Sequence, residues 1–368
     1  MRSPVLTTRK ASPITASAQT NPPNPKPRRE RPQWATDLEP YATPRFARSL
    51  VDVATSVVPY LLLTVGMYFL VPVSLWLVLA LAIPASGFLL RTFILFHDCT
   101  HGSFLPSRRA NNWFGTLCGV LVLQPFENWR KDHWAHHGSA GDLDRRGTGD
   151  VPTLTLAEYR ALPWYRRAGY YLFRNPLVMF GIGPIYSLIV MPRFYSSDAG
   201  PAQRRSVMVT NVIVAAIVAT ICLLVGWQEF LLVQGPPALA AATAGVWLFY
   251  VQHQFEDVYW ESNERWTYAD AALRGSSYLK LPRILQFFSG NIGLHHVHHL
   301  NARIPNYNLQ RAHDENEIFH DVPVLTFWDG IRATRLKVID ERSGRLLTWR
   351  QARAVIRSRF AGVTREPA

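Results

Sequence analysis

Two long apolar stretches, each interrupted once, alternate along this chain with polar segments rich in arginine. The first runs from about 50 to 96, broken only by Val71-Pro72-Val73, and predicts two helices at about 50–70 and 74–96 folded back on each other. The second predicts helices at about 207–225 and 237–255 joined by 226–236. No Lys or Arg falls between Arg48 and Arg91, or between Arg205 and Arg265. A membrane-crossing helix needs about 20 apolar residues, so each cation-free gap has room for two crossings. Pro59 and Pro84 are expected to kink the first pair, and Pro237 to sit in the first turn of the fourth helix.

Two shorter apolar runs, 113–126 and 176–191, fall short of a crossing, and Gly181, Gly183 and Pro184 break the second. Both are expected to lie in the interface or re-enter it. Four crossings return the chain to its starting side, and the positive-inside rule places the arginine-rich segments and both termini in the cytoplasm. Residues 1–40 carry Ser, Thr, Pro, Asn and scattered cations, a composition that predicts a disordered basic tail. Residues 41–340 form the membrane domain, and 341–368 a basic C-terminal extension. Around that boundary, 337–349 predicts a hairpin about Ser343-Gly344 and 349–360 a basic helix. The expected fold class is all-α and integral to the membrane: four transmembrane helices as two hairpins, with a cytoplasmic helical cap.

Composition adds little beyond this segregation. Lys and Arg number 39 against 26 Asp and Glu, a formal net charge of +13, but no nucleic-acid partner is expected. The three cysteines (Cys99, Cys118, Cys222) form neither a disulfide framework nor a zinc-like pairing. The first 40 residues have no apolar core of the kind a cleavable signal peptide needs.

The histidines change the picture. Of the 12, all but His253, His313 and His320 fall in three short boxes: His97-Asp-Cys-Thr-His101, His133-Trp-Ala-His-His137 and His295-His-Val-His-His299. Residues three and four apart share a helix face, so His97 lies with His101, His133 with His136 and His137, and His295 with His298 and His299. Neutral imidazole ligates zinc, copper, iron and nickel. Eight imidazoles are too many for one ion and suit two. A lone pair of this kind is usually an exposed helix face, but three boxes are not coincidence, and burying them unpartnered would be costly. His253 closes the fourth span where the boxes gather and joins them as a ninth candidate. His296 occupies the variable slot and points away, while His313 and His320 lie among acids on a solvated face. Asp98, Asp132, Glu256 and Asp257 are adjacent in sequence to these histidines and are candidates to accept their second ring N–H.

The order H-x-x-x-H, H-x-x-H-H, H-x-x-H-H, with spans before the first box and between the second and third, resembles the membrane fatty acid desaturase superfamily. Longer passages sharpen the likeness: Phe96-His-Asp-Cys-Thr-His101, Asp144-Arg-Arg-Gly-Thr-Gly-Asp150, Trp247-Leu-Phe-Tyr-Val-Gln-His-Gln-Phe-Glu-Asp257, Gly275-Ser-Ser-Tyr278 and Gly290-Asn-Ile-Gly-Leu-His-His-Val-His-His-Leu-Asn301. Over about 45–340 the chain is similar to bacterial acyl-lipid desaturases of the delta-5 and omega-6 (delta-12) branch. The resemblance implies two iron ions (Fe2+/Fe3+) at the eight box histidines and His253. It implies dioxygen as co-substrate, and hydrogen removal from adjacent methylenes of a membrane-lipid acyl chain to leave a cis double bond. No histidine precedes Pro-Gly-Gly, the mark of a fused haem domain. The resemblance therefore implies a separate donor, an acidic ferredoxin suited to a basic face that includes Arg108, Arg109, Arg145 and Arg146, and a place in a bacterial inner membrane. One rival is a related hydroxylase or ketolase acting on a hydrocarbon, sterol or carotenoid. Another is a metal transporter, which would want ionisable ligands inside its spans, where only Asp52 and His253 lie, both near span ends.

Overall fold

The computed structural model describes residues 31–147 and 149–360. It begins inside the expected tail, and residues 31–40 are structured: Gln33–Asp37 is a short helix (α1), and Leu38 is fully buried in the principal core. Trp34, which stacks on Tyr268 at 6.4 Å, and Tyr41 supply the apolar surface that the composition of the segment as a whole lacks. The tail expectation for 1–30 lies outside the described residues.

The first apolar stretch forms Phe46–Ala54 (α2), Val57–Leu70 (α3) and Leu75–His101 (α4). The break between α2 and α3 has a local cause. Pro59 has no N–H, so the Thr55 carbonyl loses its helical partner. Pro84 is accommodated within α4 without interrupting it. Next come Arg108–Leu121 (α5), Phe126–Ser139 (α6), Leu156–Ala161 (α7) and Trp164–Phe173 (α8). After α8 the chain bends by 61° into 178–193, a broken span or re-entrant loop. Pro201–Val225 (α9) and Trp227–His253 (α10) follow. α10 begins well before Pro237, contrary to the expected start, and holds Pro236 and Pro237 in its interior. A single residue reverses the chain between α9 and α10: Gly226, at φ 103°, a conformation closed to most side chains. Among the described residues four helical segments are long and apolar enough to cross a membrane, Phe46–Leu70, Leu75–His101, Pro201–Val225 and Trp227–His253, or five if the bent pair of 164–173 and 178–193 is one span.

Beyond α10 the chain forms Tyr268–Arg274 (α11), Tyr278–Lys280 (β1), Arg283–Phe288 (α12), His295–Leu300 (α13), Leu309–Asp314 (α14) and Val324–Thr326 (β2). Phe327–Ala333 (α15), Leu336–Asp340 (β3), Arg345–Thr348 (β4) and Trp349–Phe360 (α16) complete it. The fold is mostly helical but not wholly so: β1 pairs in parallel with β2, and β3 antiparallel with β4 around Ser343-Gly344. The β3–β4 hairpin straddles the boundary expected at 340. All of β3 is buried, and Arg359 of α16 grips Asp340 through both carboxylate oxygens at 2.5 and 2.8 Å. As far as Phe360 the expected extension is part of the folded body. The principal core forms where spans meet the polar segments: Leu90 and Ile94 of α4, Leu248 and Val251 of α10, Leu279 of β1, and Val297 and Leu300 of α13.

Candidate metal centre

Four helices converge on one buried point. α4 delivers His97 and His101 in its last turns, α6 carries His133, His136 and His137, α13 carries His295, His298 and His299, and α10 ends on His253. None of the nine imidazoles is more than 8% exposed. They divide into two groups: His97, His101, His133, His137 and His298, and His136, His253, His295 and His299. The division follows from helix geometry. At about 100° per residue, side chains four apart differ by about 40° while those three apart diverge the other way by about 60°. So the pairs 97/101, 133/137 and 295/299 each stay within one group, and the third members, His136 and His298, cross to the other. α6 and α13 thereby tie the two groups together.

Within the first group the Nε2 of His133 lies 3.0 Å from that of His97 and 3.1 Å from that of His137, with His298 Nε2 3.0 Å from His137 Nε2. In the second, His136 Nε2 lies 3.1 Å from His253 Nε2 and 3.3 Å from His299 Nε2, and His295 Nε2 lies 3.0 Å from His253 Nε2. Nitrogens at right angles around an ion, each about 2.1 Å from it, stand about 3.0 Å apart. The spacing fits ligand edges.

The partners of the second ring nitrogens sharpen this point. His253 Nδ1–H donates to the Gly275 carbonyl at 3.0 Å, and His136 Nδ1–H donates to Asp150 Oδ1 at 2.5 Å. Both partners accept, so both Nδ1 atoms carry hydrogen and the two Nε2 lone pairs face each other across 3.1 Å. Without a cation that contact is repulsive; with one it is a ligand pair. In the first group neither ring nitrogen of His101 has a protein hydrogen-bond partner, a deficit that a metal–nitrogen bond removes. Burial, and then the neighbouring imidazoles, hold His133, His137, His295, His298 and His299 well below the usual histidine pKa. The side chains are therefore neutral and ready to ligate at physiological pH.

The acids expected beside the histidines are placed unevenly. Asp98 Oδ1 lies 3.3 Å from His97 Nδ1, and its Oδ2 accepts from the Asn306 backbone and amide at 2.8 and 3.0 Å. Asp132 is exposed on α6. Glu256 and Asp257 both pair with Arg345, at 2.9 and 2.7 Å, on the outside of the fold. The carboxylate that reaches His136 is Asp150, on the loop after α6. Gly149 permits this approach: at φ +72° it passes so close that a Cβ would sit 2.8 Å from the Asp132 carbonyl and 2.9 Å from the His136 Cβ. The run 144–150 singled this loop out in the sequence, but nothing in it marked Asp150 as the partner of a particular histidine. His296 turns away from the nine as expected, its Nε2 3.0 Å from His313 Nδ1. His313 is therefore half-buried against His296, Tyr278 and Phe319 rather than solvated; His320 is exposed.

Aromatic rings line the groups. Trp129 stacks on His133 at 4.3 Å and meets Phe93 and Phe96 edge-on, and Phe249 lies 5.0 Å from His136. Replacing Asp150 with alanine takes the acceptor from His136 and frees its ring and tautomer. Metal affinity is expected to fall roughly 10- to 100-fold, measured by competition with a chelator.

A family model described as fatty acid desaturase matches residues 29–328. The chain is 42% identical to a fatty acid desaturase of Bacillus subtilis, over 86% of this chain and 90% of that one. It is 28% identical to an sn-1 acyl-lipid omega-3 desaturase (ferredoxin) of Synechocystis sp., covering 60% of this chain and 62% of the relative. With the chloroplastic omega-6 fatty acid desaturase of Arabidopsis thaliana it shares 26% identity, over 73% and 58%.

Proposed function

The chain belongs to the fatty acid desaturase family, oxidoreductases that act on fatty acyl chains, and from that premise we propose that it is an acyl-lipid desaturase with two iron ions at its nine histidines. Its four apolar helices make it an integral membrane protein. The helices pair as two hairpins, and the histidines face the cytoplasm from a bacterial inner membrane. The reaction converts an acyl –CH2–CH2– with O2, two electrons and two protons to a cis –CH=CH– and two waters. The observation that carries the reading is the pair of opposed lone pairs on His136 and His253, 3.1 Å apart, which a bound metal ion reconciles.

Bound iron would supply dioxygen reduction and the power to remove hydrogen from an unactivated methylene. The protein's own residues supply the rest. Asp150 and the Gly275 carbonyl fix the tautomers of His136 and His253. Trp129, packed on Phe93 and Phe96, and Phe249 set apolar rings against the two histidine groups and keep water from them. The electron donor is a ferredoxin, as the names of the Synechocystis and Nostoc relatives state for those enzymes. Arg145 and Arg146 are held by Asp142 and Glu158, which leaves Arg108 and Arg109 of the expected basic face for a partner. The transporter reading has little support, since the buried Asp52 is paired with Arg91 at 3.2 Å and His253 belongs to the cluster.

Expression in a bacterial host that makes no polyunsaturated lipids, followed by mass spectrometry of its fatty acids, tests the reading. A product lighter by two hydrogens is expected, with about two irons per chain in the pure protein. A product that gains oxygen marks the hydroxylase, and a chain holding at most a single ion ends the two-metal assignment.

A further inference from the structure

An external protein donor cannot touch the nine histidines, because each is at least nine-tenths covered. A side chain that both meets a candidate ligand and reaches solvent gives electrons their shortest path inward. Among the described residues three aromatic side chains other than histidine are in ring contact with the nine: Trp129, Phe249 and Trp134. Trp129, against Phe93 and Phe96, and Phe249 on α10 are both half-buried. Trp134 alone is exposed, at 46%. Its position on α6 explains this. One residue after His133, it is turned about 100° from that histidine and so leaves the ligand face for the surface. Its ring still lies 5.1 Å from His101, edge to face, and 6.3 Å from His137, while its Nε1–H donates to the Thr100 carbonyl at 3.4 Å. A partner that covered this ring would remove its apolar area from solvent.

The surroundings indicate what that is. The loop after His101 leads directly to Arg108 and Arg109. Ser49 Oγ donates to the Phe104 carbonyl in that loop at 2.6 Å, and the Arg45 N–H donates to Tyr307 Oη at 2.8 Å. These bonds bring together three segments that carry Arg45, Arg108, Arg109 and Arg303, all exposed and none with an acidic partner among the described residues. Phe126 packs at Gly115 and Arg130 donates to Asn112 Oδ1 at 3.1 Å, so α5 runs back along α6 with its Arg108 end on the side of Trp134. Unpaired cations there match an acidic protein surface.

Resting on the desaturase reading above, we propose that Trp134 is the port through which electrons enter the centre, and that an acidic one-electron iron–sulfur protein docks over it against Arg108, Arg109 and Arg303. Each docking passes one electron from the reduced donor through the indole to the His101 side of the first group. Two such events, with two protons, match the reduction of one O2 to two waters as the acyl chain loses two hydrogens. Trp134 mediates the transfer and ends each event unchanged.

The test compares two reductants on the iron-loaded full-length protein in detergent, following the absorbance of the metals by stopped flow. One is a reduced plant-type [2Fe–2S] ferredoxin; the other is dithionite with methyl viologen, small enough to need no docking. For Trp134→Leu, ferredoxin-driven reduction is expected to slow several-fold while the viologen-driven rate and iron content hold. Trp134→Phe, which keeps a ring, is expected to fall between Leu and wild type. Reversing charge at Arg108, Arg109 and Arg303 is expected to slow the ferredoxin rate roughly tenfold at low salt and to flatten its salt dependence. Equal ferredoxin-driven rates in wild type and Trp134→Leu overturn the proposal, as does an equal loss with both reductants, which marks Trp134 as a structural support of His101. Failure of the desaturase reading has a different signature: no unsaturated product from wild type with either reductant, whatever the reduction rates.

Discussion

Alanine at position 253 is expected to reduce the metal content from two ions per chain to about one and to lower desaturation by roughly three orders of magnitude. His253 belongs to the smaller group, where its loss leaves three imidazoles, whereas loss of one member of the larger group leaves four. It is also the member that His136 and His295 both face, at 3.1 and 3.0 Å. Removing it unbalances the site twice over: an ion loses a ligand, and the Gly275 carbonyl loses its buried donor. Elemental analysis of the purified variant beside product measurement checks this. Retention of two ions with full activity would show that His253 is not a ligand.

The second large effect falls on stability. Arg174 is fully buried with no carboxylate partner among the described residues, and its guanidinium donates to the carbonyls of Pro152 and Leu336, to Thr153 Oγ1, to the Tyr250 hydroxyl and to Gln254 Oε1, all between 2.9 and 3.2 Å. These partners come from three places: the loop after Asp150, the end of α10 beside His253, and β3. One planar side chain thus joins the loop whose Asp150 fixes the His136 tautomer to the end of the helix that carries His253. Arg174→Met leaves several buried acceptors unsatisfied, at a cost of about 3 kcal/mol or more. The thermal transition of the detergent-solubilised protein is expected to fall by several degrees, with loss of metal from the smaller group. Arg174→Lys is not expected to rescue it, because an ammonium cannot reproduce a planar five-donor fork. An unchanged transition in Arg174→Met would mean that these acceptors find other donors.

The membrane spans and the histidine boxes were legible in the sequence, and for the same reason. Hydropathy and helix periodicity are local properties, set by residues within a turn or two of each other. The split of the boxes into groups of five and four was not legible there: the sequence reading put each box on one face, whereas His136 and His298 cross to the other group, and which pairs meet depends on how α4, α6, α10 and α13 pack. The misplaced features depend on contacts between distant segments. Pro237 was expected to open a helix, yet α10 starts at Trp227, because Gly226 alone makes the turn. Residues 31–40 were read by composition as a tail, but Leu38 finds a core built from α4, α10 and α13.

What the sequence by itself determined is therefore the kind of site and the helices that carry it: imidazoles at helical spacing, placed where apolar spans end. What only the tertiary structure decided is which groups tune and serve that site. Asp150 rather than Glu256 or Asp257 reaches the histidines, Arg345 draws the latter two outward, and Trp134 bridges His101 to solvent. The physical reason is that a ligand's helical phase is fixed by its neighbours in the chain. The partner of its second nitrogen is chosen by whichever loop the fold brings within about 3 Å, and adjacency in sequence does not report that distance.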